Sequence, residues 1–470
     1  MGLWTRKPIE TAHEGDGPKL HRALGPVQLV ALGVGAIVGT GIYTLIGVGA
    51  QGAGPAVMLS FLIAGAICAC VALCYGELAS MMPASGSAYT YSFVALGELA
   101  AWVIGWALIL EYSVVCAAVA VGWSGYAVGF LNGLGIHLPV ELTAGPDAGG
   151  IINMPAIVIL FLVAGLLCVG TRESAAVNTV LVILKVAALA VFLALALPHF
   201  NAAHFTPFMP NGFVATTTAD GARIGVMAAA SIIFFAFYGF DAVSTAAEET
   251  KNPARDLAIG IVGSMVVCTA LYMAVGAAAV GAMAPAEFAK SSEPLAFILR
   301  TLGYPEIATG VAGVAVLALP TVILAFLFGQ SRIFFVMSRD GLLPKWLGAV
   351  HEKRGAPVVV TIVTAALVSV LAGLLPLGEI AALANAGTLA AFIAVGVSLM
   401  VMRVRDPSRP RPFRTPIGWV LAIFAILGCI YLFVSLPPAT QIRFFVWIAL
   451  GLVVYATVFM VKRSRKPATS

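Results

Sequence analysis

The sequence has little charge for its length. Of its 470 residues, only 10% are Asp, Glu, Lys or Arg, whereas 61% are hydrophobic and the mean hydropathy is +1.02. A water-soluble globular domain carries about 25% charged residues, so this composition excludes that class. The polar stretches between apolar runs are also too short to form a soluble domain.

Several motifs of other membrane-protein classes are missing from the sequence. It contains no GxxxxGKS or GxxxxGKT nucleotide-binding loop, which an ATP-driven pump needs. It has no HExxH motif and no GxSxG motif in a span to support a membrane enzyme, and no continuous polar lining to support a channel. A receptor would usually carry a soluble sensing domain. We therefore expect no enzymatic activity, and a membrane enzyme, a receptor or a channel is an outside alternative.

Histidine and cysteine do not form the patterns of metal sites or disulfides. All six histidines lie in polar segments or at the ends of apolar runs, whereas a metal site inside the membrane would need some of them within the runs. The seven cysteines lie in or beside apolar runs, as small buried hydrophobic residues do. We therefore expect no metal, no cofactor and no disulfide.

Long apolar runs are what the sequence has in abundance. A membrane-spanning helix needs about 20 apolar residues, and runs of that length recur from Val27 almost to the C-terminus. They predict an all-α polytopic membrane protein with twelve transmembrane helices, at about 27–48, 55–80, 97–131, 152–170, 176–197, 223–247, 257–283, 305–335, 357–375, 379–402, 417–436 and 443–461.

The lysines and arginines predict the orientation of these spans. With the N-terminus in the cytoplasm, most of them fall on the cytoplasmic side and only Arg223, Lys290, Arg300 and Arg443 fall outside. This asymmetry places both termini in the cytoplasm of a multi-pass protein of the cell membrane. The net charge of +5 then reflects topology rather than nucleic-acid binding. Residues 1–26 contain no apolar core, so we expect the first span, rather than a cleaved signal peptide, to direct insertion.

Two spans contain helix-breaking segments. The first contains LGVGAIVGTGIY, and each of its glycines costs a helix about 1 kcal/mol relative to alanine. This predicts an unwound stretch around Ala36–Gly41, although such glycines can also serve close helix packing. The sixth contains FFAFYGFDAVST, with Gly239 among aromatic residues and Asp241 expected to cap its second half. Breaks in the first and sixth spans suit a five-span unit repeated in inverted topology.

These segments resemble the amino acid–polyamine–organocation (APC) superfamily. GVGAIVGTGIY is similar to its first span, and FFAFYGFDAVSTAAEETKNPARD to the sixth span and following loop of its cationic amino acid transporter branch. ELASMMPASGSAYTY and SRDGLLPKW extend the resemblance over nearly the whole chain. It implies a ten-helix core of two inverted repeats plus two appended helices. The implied divisions are a tail at 1–26, the core at 27–403 with repeats at 27–197 and 223–403, helices 11 and 12 at 404–462, and a tail at 463–470.

The resemblance also implies a substrate and a site for it. Members of the superfamily move amino acids by alternating access, mostly as proton symporters and sometimes as exchangers. The α-carboxylate would meet backbone amides of the first span, and the α-ammonium would meet carbonyls of both broken spans. The implied groups are the amides of Gly39, Thr40 and Gly41 and the carbonyls near Ile37, Phe235, Ala236 and Tyr238.

Two charged residues lie deep inside other spans. Lys185 is near the midpoint of the fifth, where an ammonium must pair, lose its proton or contact water. We interpret it as the coupling residue of a proton symporter, placed beside the broken first span; a fixed charge that bridges helices is the alternative. Glu111, midway along the third span, is either bonded to neighbouring hydroxyl or backbone groups or faces the substrate and carries a proton.

Aromatic residues near the implied site favour a small neutral substrate. Phe326 is at a position that lines the side-chain pocket in the family, and it would shorten that pocket, as would Tyr238. We therefore expect uptake of an amino acid such as alanine, serine or glycine. Glu111 could instead pair with a basic side chain, so a cationic amino acid transporter remains an alternative, as does an exchanger of the same fold. The expected partners are the amino acid, the proton and the lipid bilayer, and a small membrane subunit would leave no trace in this sequence.

Overall fold

The computed structural model describes residues 5–8, 24–82, 87–169, 175–219, 221–241, 243, 250–349 and 358–464. The helices of the first half are α1 (Pro26–Ile37), α2 (Thr40–Tyr43), α3 (Leu45–Ala53), α4 (Val57–Met81), α5 (Ser87–Ala95), α6 (Glu98–Gly133), α7 (Val140–Thr143), α8 (Met154–Val169) and α9 (Ala175–Ala196). A two-stranded antiparallel hairpin, β1 (Thr216–Thr217) and β2 (Arg223–Ile224), precedes the second half.

The helices of the second half follow the hairpin. They are α10 (Val226–Ile233), α11 (Pro253–Ala282), α12 (Pro285–Phe288), α13 (Pro294–Thr301), α14 (Pro305–Ala318), α15 (Pro320–Arg339), α16 (Val358–Leu374), α17 (Leu377–Arg405), α18 (Gly418–Ser435) and α19 (Pro438–Ser464). Short 3-10 turns cover Gly54–Ala56, Pro146–Ala148, Leu197–His199, Ala202–Phe205, Phe234–Phe237 and Lys345–Gly348.

The prediction of an all-α polytopic membrane protein is confirmed. Among the described residues, eight helical segments are long and apolar enough to cross a membrane, and four shorter apolar helices accompany them. Together they overlap all twelve predicted runs, but this correspondence rests on length and composition, so the number of spans stays a prediction. The eighth run is two helices, because Pro320 interrupts the helix after Ala318.

Burial separates central helices from peripheral ones. Helices α6 and α17 pack against each other and are mostly buried, whereas α18 and α19 are mostly exposed. The exposed faces of the outer helices carry large apolar side chains, including Leu162, Leu367, Phe424 and Val446. This is the distribution expected when the surrounding solvent is hydrocarbon and each helix satisfies its own backbone.

A buried ion-pair network ties α4 to α17 at the side predicted to be cytoplasmic. The carboxylate of Glu77 is fully buried and pairs with Arg403 and with Arg411, whose Nε lies 3.2 Å away. It also accepts a hydrogen bond from the backbone N–H of Thr415 at 2.8 Å. From its place at the cytoplasmic end of a predicted span, Glu77 is expected either to be solvated, which is favoured, or to form a salt bridge with a nearby arginine; the structure shows the salt bridge. Glu248 and Glu249, which the sequence also places at a cytoplasmic end of a span, lie outside the described residues.

We predict that Glu77→Gln destabilises the protein strongly. The change leaves two guanidinium groups without their buried counter-charge, and breaking a buried ion pair in this way costs roughly 3–5 kcal/mol. The thermal unfolding midpoint of the detergent-solubilised protein measures the loss. The matched control is Glu379→Gln, because Glu379 pairs with Arg443 at 2.6 Å where both side chains are nearly half exposed. Equal shifts for the two variants would contradict the prediction.

Candidate functional site

The first broken helix is interrupted over two residues. Helix α1 ends at Ile37, Val38 is extended, Gly39 has φ −156° and ψ −149°, and α2 begins at Thr40. The break is therefore narrower than the predicted stretch Ala36–Gly41. Thr40 and Gly41 form the first turn of α2, where backbone N–H groups have no partner within the helix.

The second interruption follows α10. The chain forms a 3-10 turn at Phe234–Phe237, becomes extended at Tyr238 and turns at Gly239, whose φ is +108°. A side chain at that φ would be strained, so the turn requires glycine. Of the predicted second half of this span, 240–247, only residues 240, 241 and 243 lie within the described residues.

The two interruptions touch backbone to backbone. A Cβ atom placed on Gly41 would lie 2.2 Å from the Cα of Ala236, and one placed on Gly239 would lie 2.7 Å from the carbonyl carbon of Ala36. Ala36 thus lies against Gly239, and Gly41 lies against Ala236, so the two segments run antiparallel where they cross. The structure thus brings together the predicted residues of both breaks.

Lys185 lies against the end of α1. Its side chain is buried, at 2% exposure, in the middle of α9. The ammonium donates to the carbonyl oxygen of Gly35 at 3.5 Å and to the hydroxyl oxygen of Thr321 at 3.3 Å. The hydroxyl of Tyr43 donates to the backbone carbonyl of Lys185 at 2.7 Å, so α2 is connected to α9 as well.

Glu111 faces a different neighbour, α17. It is buried on α6, and a Cβ atom on Gly387 would lie 3.3 Å from the Glu111 Cβ. Among the described residues, its Oε2 has no hydrogen-bond partner. The next residue, Tyr112, donates from its hydroxyl to Asp241 Oδ2 at 3.5 Å and packs its ring against Phe326, with ring centroids 5.2 Å apart.

One face of α15 is turned toward the first break. A Cβ atom on Gly39 would lie 3.5 Å from a methyl carbon of Val322, and Phe326 is one helical turn further along. Both side chains are apolar. Thr40 is buried with its side chain against Gly122 of α6, and within the described part of the chain its hydroxyl has no hydrogen-bond partner. A polar group left unsatisfied at this depth is costly, which is typical of a site that a ligand completes.

Sequence reasoning missed the residues that hold the breaks in place. The hydroxyl of Tyr272, on α11, donates to the carbonyl oxygen of Ile37 at 2.9 Å. The fully buried side chain of Asn385, on α17, accepts a hydrogen bond from the hydroxyl of Tyr238 at 2.6 Å. Asn385 is a lone side-chain amide within an apolar run, and this isolation is the sequence feature that could have marked it as a functional residue.

Taken together, the fold and this site define an integral membrane protein whose two interrupted helices meet at a buried polar centre. Residues 24–458 match the family model described as amino acid permease. The chain therefore belongs to the amino acid permease family of the APC superfamily, which confirms the resemblance found in its sequence. Such permeases are transporters rather than enzymes.

Individual relatives differ in what their names say they carry. The chain is 46% identical to the branched-chain amino acid permease BcaP of Bacillus subtilis over 87% of its own length and 86% of the relative. It is 40% identical to the methylthioribose transporter of the same organism, over 96% and 97%. It is 35% identical to the vacuolar cationic amino acid transporter 4 of Arabidopsis thaliana, over 86% and 68%.

We predict that Gly41→Ala abolishes most transport. The added methyl group would overlap backbone atoms of Ala236, so the two interruptions must separate. Initial uptake in reconstituted vesicles should fall at least tenfold. Gly165→Ala is the matched control, because Gly165 is exposed on α8 with nothing within 4 Å of the added atom. Unchanged uptake by Gly41→Ala would contradict the close contact.

Proposed function

We propose that this permease imports small neutral amino acids together with protons by alternating access. The observation that carries the proposal is the contact between the two interrupted helices, with Lys185 bonded to the end of one of them. Their crossing in opposite directions supports a core of two inverted repeats, at 27–197 and 223–403, within 27–403. Residues 404–462 then supply two appended helices.

The backbone of the breaks suits both charged ends of an amino acid. The backbone amides of Gly39, Thr40 and Gly41 lie at the N-terminus of α2, where helix geometry provides no intrahelical partner, and they favour a carboxylate. Carbonyls near Ile37, Phe235, Ala236 and Tyr238 would accept hydrogen bonds from the ammonium. The Ile37 carbonyl already accepts one hydrogen bond from Tyr272, and its second lone pair is left for the substrate.

The neighbouring side chains favour a neutral substrate. Val322 presents a methyl carbon toward Gly39 of the first break, and Phe326, one helical turn further along α15, packs against the ring of Tyr112. The name of the B. subtilis relative BcaP, which refers to branched-chain amino acids, agrees with an uncharged side chain. The carboxylates of Asp241 and Glu111 favour the second candidate, a cationic amino acid, because a basic side chain extending past Phe326 could pair with one of them.

Lys185 supports proton coupling by its position. Its ammonium is bonded to the carbonyl of Gly35, two residues before α1 ends at Ile37. Loss of its proton would remove the charge that holds this carbonyl, so protonation and the shape of the break depend on each other. An exchanger of the same fold is the alternative, and in it Lys185 would be a fixed bridge between α1, α9 and α15.

The placement in the membrane follows the charge distribution. We propose the cell membrane as the location, with both termini in the cytoplasm, because most lysines and arginines then lie inside.

We predict that proteoliposomes containing the protein accumulate alanine, serine or glycine when an inward proton gradient is applied without sodium. Lys185→Ala should lose this accumulation, by at least tenfold, and retain exchange of internal for external amino acid. Lys290→Ala, which removes an exposed lysine, should behave like the native protein. The substrate panel should also contain leucine, arginine and lysine.

Other outcomes of that assay would reject parts of the proposal. Uptake that ignores the proton gradient and requires internal amino acid would identify an exchanger. Accumulation of arginine or lysine in preference to alanine would identify a cationic amino acid transporter.

We predict that Phe326→Ala shifts selectivity toward larger side chains. Removing the ring opens space beside Tyr112, so the ratio of leucine to alanine uptake efficiency should rise by roughly tenfold, the effect of one to two methylene groups in an apolar pocket. The measurement is the uptake kinetics of both amino acids in the same vesicles. Phe424→Ala removes an exposed ring on α18 and should leave the ratio unchanged.

A further inference from the structure

A single side chain from α17 spans the second interruption. The amide nitrogen of Asn385 donates to the carbonyl oxygen of Ser231 at 2.6 Å and to that of Ile232 at 2.9 Å. Its amide oxygen accepts from the hydroxyl of Tyr238 at 2.6 Å. Asn385 is fully buried, and these three bonds join residues before the 3-10 turn to the residue that follows it.

These bonds take the place of helix hydrogen bonds. If α10 continued as an α-helix, the carbonyl of Ser231 would accept from the N–H of Phe235, and that of Ile232 from the N–H of Ala236. A buried carbonyl that loses its partner inside a membrane costs several kcal/mol, so a helix end needs a substitute donor. The two amide hydrogens of Asn385 supply such donors to the carbonyl of Ser231 and to that of Ile232, which also accepts from the N–H of Phe234.

The same turn of α17 also contacts α6. Gly387, two residues after Asn385, lies against the backbone and Cβ of Glu111. Helix α17 therefore contacts both the second interruption and Glu111.

We propose that Asn385 is a positioning residue for substrate binding: it keeps α10 from continuing as a helix and so holds the carbonyls of Ala236 and Tyr238 open to the substrate ammonium. Asn385 does not touch the substrate. This inference rests on the proposed site, in which those carbonyls bind the ammonium, but it does not depend on proton coupling.

Three substitutions separate the role of the amide donors of Asn385 from that of its acceptor oxygen. Asn385→Asp keeps the shape and the acceptor for Tyr238 but removes the paired amide donors. Tyr238→Phe keeps the ring, whose centroid lies 4.9 Å from that of Phe235, and removes only the hydroxyl. Asn385→Ala removes both the amide donors and the acceptor oxygen. The matched control is Ser398→Ala, a fully buried polar residue on the same helix whose hydroxyl has no partner among the described residues.

The test is counterflow of labelled alanine and leucine into vesicles loaded with the same unlabelled amino acid, without a proton gradient. Each hydrogen bond that positions a binding group changes an equilibrium by roughly 2- to 10-fold. We expect Asn385→Asp to raise the KM at least tenfold and Tyr238→Phe to raise it 2- to 5-fold, with maximal rates within twofold of native. Adding Tyr238→Phe to Asn385→Ala should change nothing further, because the hydroxyl has already lost its partner.

A fall in maximal rate or in folded yield with an unchanged KM would mean that Asn385 is only structural, and would overturn the proposal. An equal effect of Ser398→Ala would overturn it too. If counterflow follows the expected pattern while the native protein shows no response to a proton gradient, the proposed coupling fails and the role of Asn385 stands.

Discussion

The rest of this structure depends on two helices that touch through their backbones where both are interrupted. Gly41 against Ala236 and Gly239 against Ala36 leave no space for side chains between the segments. Such a contact exposes peptide groups at the centre of an apolar protein. Every exposed carbonyl and N–H there needs a partner, since hydrocarbon and packed apolar side chains supply none. The identity of the surrounding polar residues follows from that requirement.

Four carbonyls at the ends of the breaks accept hydrogen bonds from side chains of other helices. Lys185 of α9 bonds Gly35, Tyr272 of α11 bonds Ile37, and Asn385 of α17 bonds Ser231 and Ile232. The amides of the first turn of α2 have no such partner assigned by helix geometry. Near α2, the described parts of the surrounding helices thus provide donors for backbone carbonyls but no acceptors assigned to the backbone amides of its first turn. Unpartnered amides suit the carboxylate of an amino acid.

Sequence reasoning could locate the breaks but not what stabilises them. Gly39, Gly41 and Gly239 are visible because glycine is costly in a helix, and Lys185 is visible because charge is rare in a span. The membrane class and the family follow from composition and motifs, and both are confirmed. Asn385 and Tyr272 could not be assigned from one sequence, because their roles depend on which helix faces which break. The burial of Glu77 was missed for the same reason: Arg403 and Arg411 lie more than 300 residues away along the chain.

The position of Lys185 explains how its protonation would affect substrate binding in the proposed mechanism. Its ammonium bonds the carbonyl of Gly35, and the amides proposed to bind the substrate carboxylate begin four residues later, at Gly39. Protonation of Lys185 and binding of the substrate carboxylate would therefore both act on residues 35–41, whose geometry is set by few hydrogen bonds. If protonation of Lys185 favours one shape of the break, the substrate that fits this shape must in turn favour protonation, because coupling free energies are reciprocal. Proton and amino acid can then be linked without touching each other, through the backbone of residues 35–41. The Tyr43 hydroxyl, bonded to the Lys185 carbonyl, extends the same link from α9 to α2.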